Sequence, residues 1–204
     1  MSVHPHAVAP TVLSDAIPGD RVRDVLLTVG YTAAIALAAQ IYLFLPGNPV
    51  PVTAQTFVVL AGAIVLGSTR ASAGVLGYLT LGVAGVPLFA AANGASVGYI
   101  VGFAAAGMLL GALAQRGYLR GPAQVAGAMI LGNLVIYALG VAWIAAALQL
   151  QPGFLAAFGL EGTPGVTGLL TMFVAPFLIG DAIKIAAATA IVPLAWRLVH
   201  RDQD

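Results

Sequence analysis

Residues 25–69 decide the fold class, and they read VLLTVGYTAAIALAAQIYLFLPGNPVPVTAQTFVVLAGAIVLGST. No charged side chain interrupts the chain between Asp24 and Arg70. A bilayer core of ~30 Å needs ~20 apolar residues of helix, so this stretch is long enough for about two crossings. The prolines, glycine and asparagine at 46–51 indicate the turn between them. The stretch therefore predicts two membrane-spanning helices.

The whole chain has the composition of an integral membrane protein. Of its 204 residues, 60% are hydrophobic and 7% are charged, and the mean hydropathy is +1.00. A net charge of +1 and the absence of cysteine argue against a nucleic-acid surface, disulfides and thiolate chemistry. His4, His6 and His200 lie in the tails, so a zinc site or a Ser-His protease has no buried base. We expect neither an enzyme nor a cofactor.

The charge-free pattern continues along the chain, between Arg70 and Arg116 and again between Arg120 and Glu161. We therefore expect an all-α membrane protein with six transmembrane helices. Residues 1–20 lack the basic start and the apolar segment of a signal peptide, and they are expected to form a disordered cytoplasmic tail. Residues 21–200 form the membrane domain, and 201–204 form a second cytoplasmic tail. The predicted spans lie near 25–45, 53–69, 72–91, 97–115, 122–148 and 168–199.

The distribution of basic residues predicts the orientation, because Lys and Arg favour the cytoplasmic side of a membrane. In the six-span arrangement, the connections 46–52, 92–96 and 149–167 contain neither residue. Both termini are therefore expected in the cytoplasm. The arginines that fall on the cytoplasmic side are Arg21, Arg23, Arg70, Arg116, Arg120, Arg197 and Arg201.

The remaining basic residue, Lys184, falls inside the last span together with Asp181. Either residue at a helix centre costs ~2.5–3.5 kcal/mol on insertion scales, so each needs a partner or a polar cavity. Three residues of helix place both side chains on one face, where they could form an ion pair that only neutralises itself. Two alanines would avoid that cost, and Pro176 and Gly180 loosen the same helix. We interpret the pair as a binding site.

An acceptor beside a donor matches a neutral ligand that offers N–H and C=O groups together, such as a urea, an amide or a pyrimidine-like edge. A proton relay through Asp181 remains an alternative, since buried carboxylates often carry protons in transporters. The pentapeptide at 28–32, TVGYT, is similar in sequence to a potassium-channel selectivity filter. A filter is a re-entrant loop, whereas this pentapeptide begins a long span, so we do not expect a channel.

Uncharged polar residues occupy the outer half of the predicted fold. They could converge near an outer mouth and contact substrate, although each taken singly could equally be a packing or capping residue. The candidate substrate-binding residues, besides Asp181 and Lys184, are Thr53, Gln55, Asn93, Tyr99, Asn133 and Tyr137.

Rows of small residues allow helices to approach closely. Gly98, Gly102, Gly107 and Gly111 form such a row in the fourth span, which indicates packing inside the monomer. Ala34 and Ala38 form another in the first span, where no large ligand needs covering. We expect this pair to contact a partner protein.

A series of motifs runs in order along residues 25–200, among them PVPVTAQ at 49–55, LGVAGVPLF at 81–89 and Gly180-Asp181 with Lys184. Together they resemble the BioY family, the biotin-binding S components of energy-coupling-factor (ECF) transporters. One stretch departs from the family pattern: a longer glycine-rich segment ending Gly-Pro-Thr-Gly-Gly-Tyr is usual, whereas residues 93–99 read NGASVGY. The resemblance rests on PVPVTAQ at 49–55, LAG at 60–62, LG at 66–67, YL at 78–79, LGVAGVPLF at 81–89, Gly98-Tyr99, Gly102-Phe103, Ile136-Tyr137, Gly140, Trp143, Pro176-Phe177, Gly180-Asp181 and Lys184.

The resemblance implies a six-helix fold in the plasma membrane of a bacterium or archaeon that captures biotin from outside. It also implies a membrane T subunit and ABC-type ATPase subunits as partners. Asp181 and Lys184 would then meet the N–H groups and the carbonyl of the biotin ureido ring. The alternative is an autonomous secondary transporter of biotin or a related vitamin, with Asp181 or Lys184 coupling transport to protons.

Overall fold

The computed structural model describes residues 11–19, 21–90, 94–151, 153–160, 162 and 164–201. This part of the chain is almost entirely helical, as expected, with one short antiparallel ladder that the sequence did not predict. Five of its helices are long and apolar enough to cross a membrane. The elements are α1 (Arg21–Ala39), β1 (Tyr42–Leu43), β2 (Val52–Thr53), α2 (Gln55–Val83), α3 (Val97–Gln115), α4 (Pro122–Leu150), α5 (Val166–Phe173) and α6 (Ala175–Arg201), with 3-10 turns at Leu13–Ala16 and Ala156–Phe158.

Helix α2 covers most of the second and third predicted spans, although the third was expected to reach residue 91 and the helix ends at Val83. It is divided at Gly67. Gly67 has φ 79° and ψ 171°, a left-handed conformation that glycine adopts without a Cβ clash. Gly62 and Gly74 both face the Tyr31 ring, and a Cβ built on them would lie 2.2 Å and 2.4 Å from its atoms. A continuous helix would separate the two glycines by ~18 Å, which exceeds the width of the ring. The chain therefore reverses at Gly67, and the arms 55–66 and 68–83 lie side by side.

The ends of two other predicted spans differ from the structure. The first was expected to reach residue 45, but α1 ends at Ala39 and the chain enters β1. The last was expected to be one long helix over 168–199, but it divides into α5 and α6 at Val174. Pro176 has no amide hydrogen with which to continue the α5 hydrogen-bond ladder, which explains the break.

Contacts bring the basic ends of several helices to one end of the bundle. The Arg70 guanidinium, just after the Gly67 reversal, lies 3.0 Å from Asp24 at the start of α1. Ser68 donates a hydrogen bond of 2.7 Å to Gln115 at the end of α3. The Arg120 guanidinium, just before α4, lies 4.8 Å from the centre of the Trp196 ring near the end of α6. The charge asymmetry along the sequence is thus an asymmetry of the folded bundle.

Residues 12–15 are buried or half-buried against the bundle, whereas a disordered tail was expected over 1–20. Val12 and Leu13 are buried in the apolar core, and the turn at Leu13–Ala16 contacts α2 and α6. Arg70 donates hydrogen bonds to Ser14 (2.7 Å) and Asp15 (2.9 Å). Apolar burial together with an ion pair explains why so short a segment is held in place. Residues 1–10 lie outside the described part of the chain.

Candidate substrate-binding site

The site is built around the ion pair that the sequence placed in the last span. Asp181 and Lys184 lie one turn apart on α6, and the Lys184 Nζ is 2.8 Å from the Asp181 Oδ1. Asp181 is 3% exposed, so its charge depends on protein partners and not on water. The pair is therefore formed inside the bundle, at the end opposite the arginines.

Two other helices supply the remaining partners of the Asp181 carboxylate. The Thr56 hydroxyl, on the first arm of α2, donates to Oδ1 at 2.9 Å and accepts a hydrogen bond from the Lys184 ammonium at 2.7 Å. The Tyr137 hydroxyl, on α4, donates to Oδ2. The carboxylate thus receives hydrogen bonds from three side chains on three helices. This cross-linking sets the orientation of the carboxylate. Lys184 uses two of its three ammonium hydrogens on Thr56 and Asp181, and the third has no partner among the described residues.

These groups lie on the wall of a cavity with about 550 Å³ of empty space, including its open mouth. Most of the lining is apolar or aromatic, and the two charged groups lie together on α6. The cavity is lined by Val50, Pro51, Thr53, Gln55, Thr56, Tyr78, Phe89, Ala90, Ser96, Tyr99, Ile100, Phe103, Ile136, Tyr137, Phe177, Asp181 and Lys184.

Aromatic rings form a continuous wall beside the ion pair. Phe177 lies between Tyr137 and Tyr99, with ring centroids 6.2 Å and 5.7 Å away. The Tyr99 hydroxyl donates to the backbone carbonyl of Phe173 at 2.6 Å, so Tyr99 presents its ring to the cavity. Gly140 packs against this ring: a Cβ there would lie 2.6 Å from it. The wall can cover a flat, mostly apolar ligand whose polar edge reaches Asp181 and Lys184.

Two buried polar atoms of the cavity lining have no hydrogen-bond partner among the described residues. They are the Gln55 Nε2 and the Ser96 Oγ. The other end of the Gln55 side chain is held, since its Oε1 accepts a hydrogen bond from Thr53 at 3.3 Å. Unpaired buried donors cost free energy, so both atoms suit a ligand that brings an acceptor.

The structure brings together most of the residues that the sequence proposed for substrate binding. Asn133 is buried but does not line the cavity, and its Oδ1 lacks a partner among the described residues. Asn93 lies outside the described residues. Those that do line the cavity are Thr53, Gln55, Tyr99, Tyr137, Asp181 and Lys184.

The two alanines proposed as a partner surface differ in accessibility. Ala38 is 4% exposed and is covered within the chain itself. Ala34 is only partly covered, and it lines an apolar groove with residues of α2 and α6. Within this chain, Ala34 is thus the more accessible of the two.

Several residues of the site were not among the proposed substrate-binding residues, although Thr56 and Ser96 belong to the uncharged polar residues that the sequence placed near the outer mouth. Thr56 is the most important, because it bonds both members of the ion pair. The sequence feature that indicates Thr56 is a hydroxyl side chain next to Gln55 at the start of an apolar span. Ser96, Tyr78 and Phe177 also line the cavity. The described residues contain no group of three or more His, Cys, Asp or Glu side chains that could hold a metal ion.

Comparison with known proteins identifies the family. Residues 9–201 match the model of the BioY family. The chain belongs to the BioY family. It is 32% identical over 185 residues to a probable biotin transporter BioY of Pyrococcus horikoshii, covering 87% of this chain and 97% of that one. It is 30% identical over 176 residues to the biotin transporter BioY of Rhodobacter capsulatus, covering 80% and 87% of the two chains.

The fold of this BioY-family chain also has a solved counterpart. It matches the crystal structure of the S-component for biotin from an ECF-type ABC transporter with a TM-score of 0.67, over 87% of this chain and 92% of that one. The two sequences are 20% identical, so the likeness concerns the fold. The relatives are named as transporters, which is not an enzymatic function.

Proposed function

We propose that this chain is the biotin-capture subunit of an ECF transporter in the plasma membrane of a bacterium or archaeon. The observation that carries the proposal is the site at Asp181: a carboxylate and an ammonium side by side in an aromatic-walled cavity. The ureido ring of biotin offers two N–H donors and one carbonyl acceptor on a rigid edge. Its bicyclic body is apolar, and this matches the wall formed around Phe177.

The carboxylate supplies the acceptors and the ammonium supplies the donor in the proposed complex. Asp181 would accept ureido N–H groups, while the free ammonium hydrogen of Lys184 would meet the carbonyl. Because Thr56 and Tyr137 already hold the carboxylate, a ureido N–H must either share an oxygen with one of them or replace one. Gln55 and Ser96, whose buried atoms lack partners, are available to the valerate carboxylate.

We further propose six membrane spans with both termini in the cytoplasm. The Gly67 reversal supports the count, because each arm of α2 then serves as one span, extended by its flanking residues. The gathering of the arginine-bearing ends at one end of the bundle supports the orientation. The cavity would then open to the outside, where biotin is captured.

The proposed partners are a membrane T subunit and ABC-type ATPase subunits. Ala34, in the apolar groove between α1, α2 and α6, is the proposed contact with the T subunit. A large side chain there, as in Ala34→Leu, should weaken assembly and leave biotin binding intact. Gly127→Ala, which adds a methyl group in open space on α4, is a matched control. An unchanged complex would remove Ala34 from the interface.

Binding and uptake assays test the function directly. The purified chain in lipid nanodiscs should bind labelled biotin, and desthiobiotin, which keeps the ureido ring, should compete. The diamine made by removing the ureido carbonyl should not compete, because Lys184 then loses its acceptor. Absence of biotin binding by folded chain would overturn the proposal. Uptake by cells that express the chain without an ATPase module would favour an autonomous transporter.

A further inference from the structure

We propose that strand β1 and the residues flanking it, Ile41 to Phe44, form an anchor in the outer membrane interface that positions one wall of the binding cavity. The binding half of this inference rests on the proposed function. Ile41, Tyr42, Leu43 and Phe44 are between 48% and 69% exposed, although all four are large and apolar. Such a run on a surface facing water would be unusual, and it marks an interaction surface.

The position of the segment in the fold identifies lipid as its partner. It directly follows α1, whose Val29 and Leu37 are 61% and 70% exposed on the surface available to the bilayer. No charged residue lies between 25 and 69, so nothing in the segment opposes contact with lipid. Tyr42 and Phe44 pack edge to face, with ring centroids 5.5 Å apart. Tyrosine, like tryptophan, is enriched where the hydrocarbon meets the headgroups, because its ring is apolar and its hydroxyl is polar.

Backbone hydrogen bonding limits how deep the segment can lie. Among the described residues, β1 pairs with β2 alone, so its other edge leaves peptide groups unpaired by the ladder. Unpaired peptide groups are costly in the hydrocarbon core but can bind water at the headgroup level. The anchor therefore belongs in the interface and not in the membrane interior.

The ladder connects this anchor to the binding site. Tyr42 pairs with Thr53 and Leu43 pairs with Val52, while the Ala54 amide donates to the Ile41 carbonyl at 3.1 Å. Thr53 lines the cavity. Val52 packs against α6 at Gly180: a Cβ built on Gly180 would lie 3.6 Å from the Val52 Cγ1. A shift of β1 in the membrane would thus move a cavity wall and press on the residue that precedes Asp181.

The depth of the segment can be measured because the chain has no cysteine. A nitroxide on Phe44→Cys in nanodiscs should collide more with oxygen than with a water-soluble nickel chelate. Leu37→Cys provides the lipid-facing reference, and Gln151→Cys, exposed at the end of α4, provides the water-facing one. A label at 44 that behaves like the label at 151 overturns the anchor. So does one that becomes shielded only when T and ATPase subunits are added, since the surface would then belong to a protein partner.

Affinity measurements test the connection to the site. The double variant Tyr42→Ser/Phe44→Ser should bind biotin about fivefold more weakly in nanodiscs, which is the scale of losing the cross-strand pair of Tyr42 with Thr53. Leu150→Ser/Val166→Ser also removes two exposed apolar side chains, but these lie outside the ladder, and it should bind as the unmodified chain does. Equal affinity losses in the two double variants would overturn the connection. Failure of the unmodified chain to bind biotin would instead refute the proposed function. The depth measurement would still test whether Ile41 to Phe44 lie in the membrane interface.

Discussion

The Thr56 hydroxyl lies between the two charged groups of the site: it accepts a hydrogen bond from the Lys184 ammonium at 2.7 Å and donates one to the Asp181 carboxylate at 2.9 Å. Thr56 lies on the first arm of α2, whereas both charged residues lie on α6. One small side chain therefore couples the geometry of the ion pair to the packing of two helices. The ion pair is consequently a three-residue unit, and Thr56 belongs to any account of how it binds a ligand.

Thr56→Val tests this role because valine keeps the shape of threonine and removes the hydroxyl. We expect biotin affinity to fall about 10-fold, since a buried charged group loses a hydrogen bond. Thr56→Ser keeps the hydroxyl and is the matched control, with affinity close to that of the unmodified chain. Calorimetric titration in nanodiscs measures both. Equal affinity for the valine and serine variants would show that the hydroxyl has no part in binding.

Asp181→Asn and Lys184→Met test the ion pair itself. Each should weaken biotin binding at least ~10-fold, because asparagine replaces a charged acceptor with an amide and methionine leaves Asp181 as a lone charge. The double variant should lose less than the sum of the two losses, because it also removes the stranded charge.

A structural ion pair leads to a different result for the same variants. Stability and expression would fall, while the protein that survives would bind biotin normally. Melting temperatures measured beside the titrations separate the two cases. Full affinity in well-folded single variants would contradict the site assignment.

Gly67→Ala tests the reversal in α2. The new methyl group would be forced into a left-handed conformation and would lie 3.0 Å from the Gln115 amide nitrogen. We expect a loss of ~1–3 kcal/mol in the free energy of unfolding. Gly30→Ala adds a methyl group within α1 with nothing in reach, and it should be neutral or slightly stabilising. Equal thermal stability of the two variants in the same detergent would argue against the left-handed turn.

Asp15 predicts a pH dependence of stability. Burial alone would raise the pKa of Asp15, but hydrogen bonds from Arg70, Thr11 and the Val12 amide, with the Arg70 charge, hold it below its ordinary value of 3.8. A carboxyl whose pKa is lower in the folded state stabilises the fold above its unfolded pKa. That stabilisation is lost as the pH falls through the folded pKa.

The comparison of the unmodified chain with Asp15→Asn measures this effect. The unmodified chain should melt at the higher temperature at pH 6, and the difference should shrink as the pH falls below about 3.8. Two melting curves that stay the same distance apart at every pH would mean that the Asp15 charge is not the cause.

The orientation can be tested with single cysteines and with added charge. A cysteine placed within 46–52 should react with a membrane-impermeant reagent added outside intact cells, and one within 116–121 should not. An added arginine should disturb expression or orientation more at 46–52, because only that position breaks the one-sided distribution. Reaction at 116–121 from outside would reverse the proposed topology.

The helix bounds could be predicted from the sequence where a local pattern of residues determines them. The bounds of α3 follow from an apolar run that ends at a cluster of arginines, and they agree with the predicted span. The end of α1 at Ala39 could not be read in the same way, since Ile41 to Phe44 are as apolar as a helix interior. Their conformation depends on pairing with β2, which lies beyond a proline-rich turn.

The site shows the same limit. The Asp181–Lys184 ion pair could be predicted from the sequence, because two opposite charges three residues apart in an apolar helix are costly unless they form a pair. Asn133 and Tyr137 looked equivalent, one turn apart on α4, yet only Tyr137 lines the cavity. Ala34 and Ala38 also looked equivalent, yet Ala38 is covered by the chain itself.

The sequence by itself determined the membrane class, the separation of the arginines from the long apolar segments and the ion pair within the last helix, because these depend on composition and on spacing along one chain. Only the tertiary structure decided that Thr56 and Tyr137 complete the pair, that the arms of α2 enclose Tyr31, and that Val12 and Leu13 are buried. The physical reason is that membrane helices are apolar on every side. Their sequences lack the polar face that would tell which side packs inward, so the packing of one helix against another makes that choice.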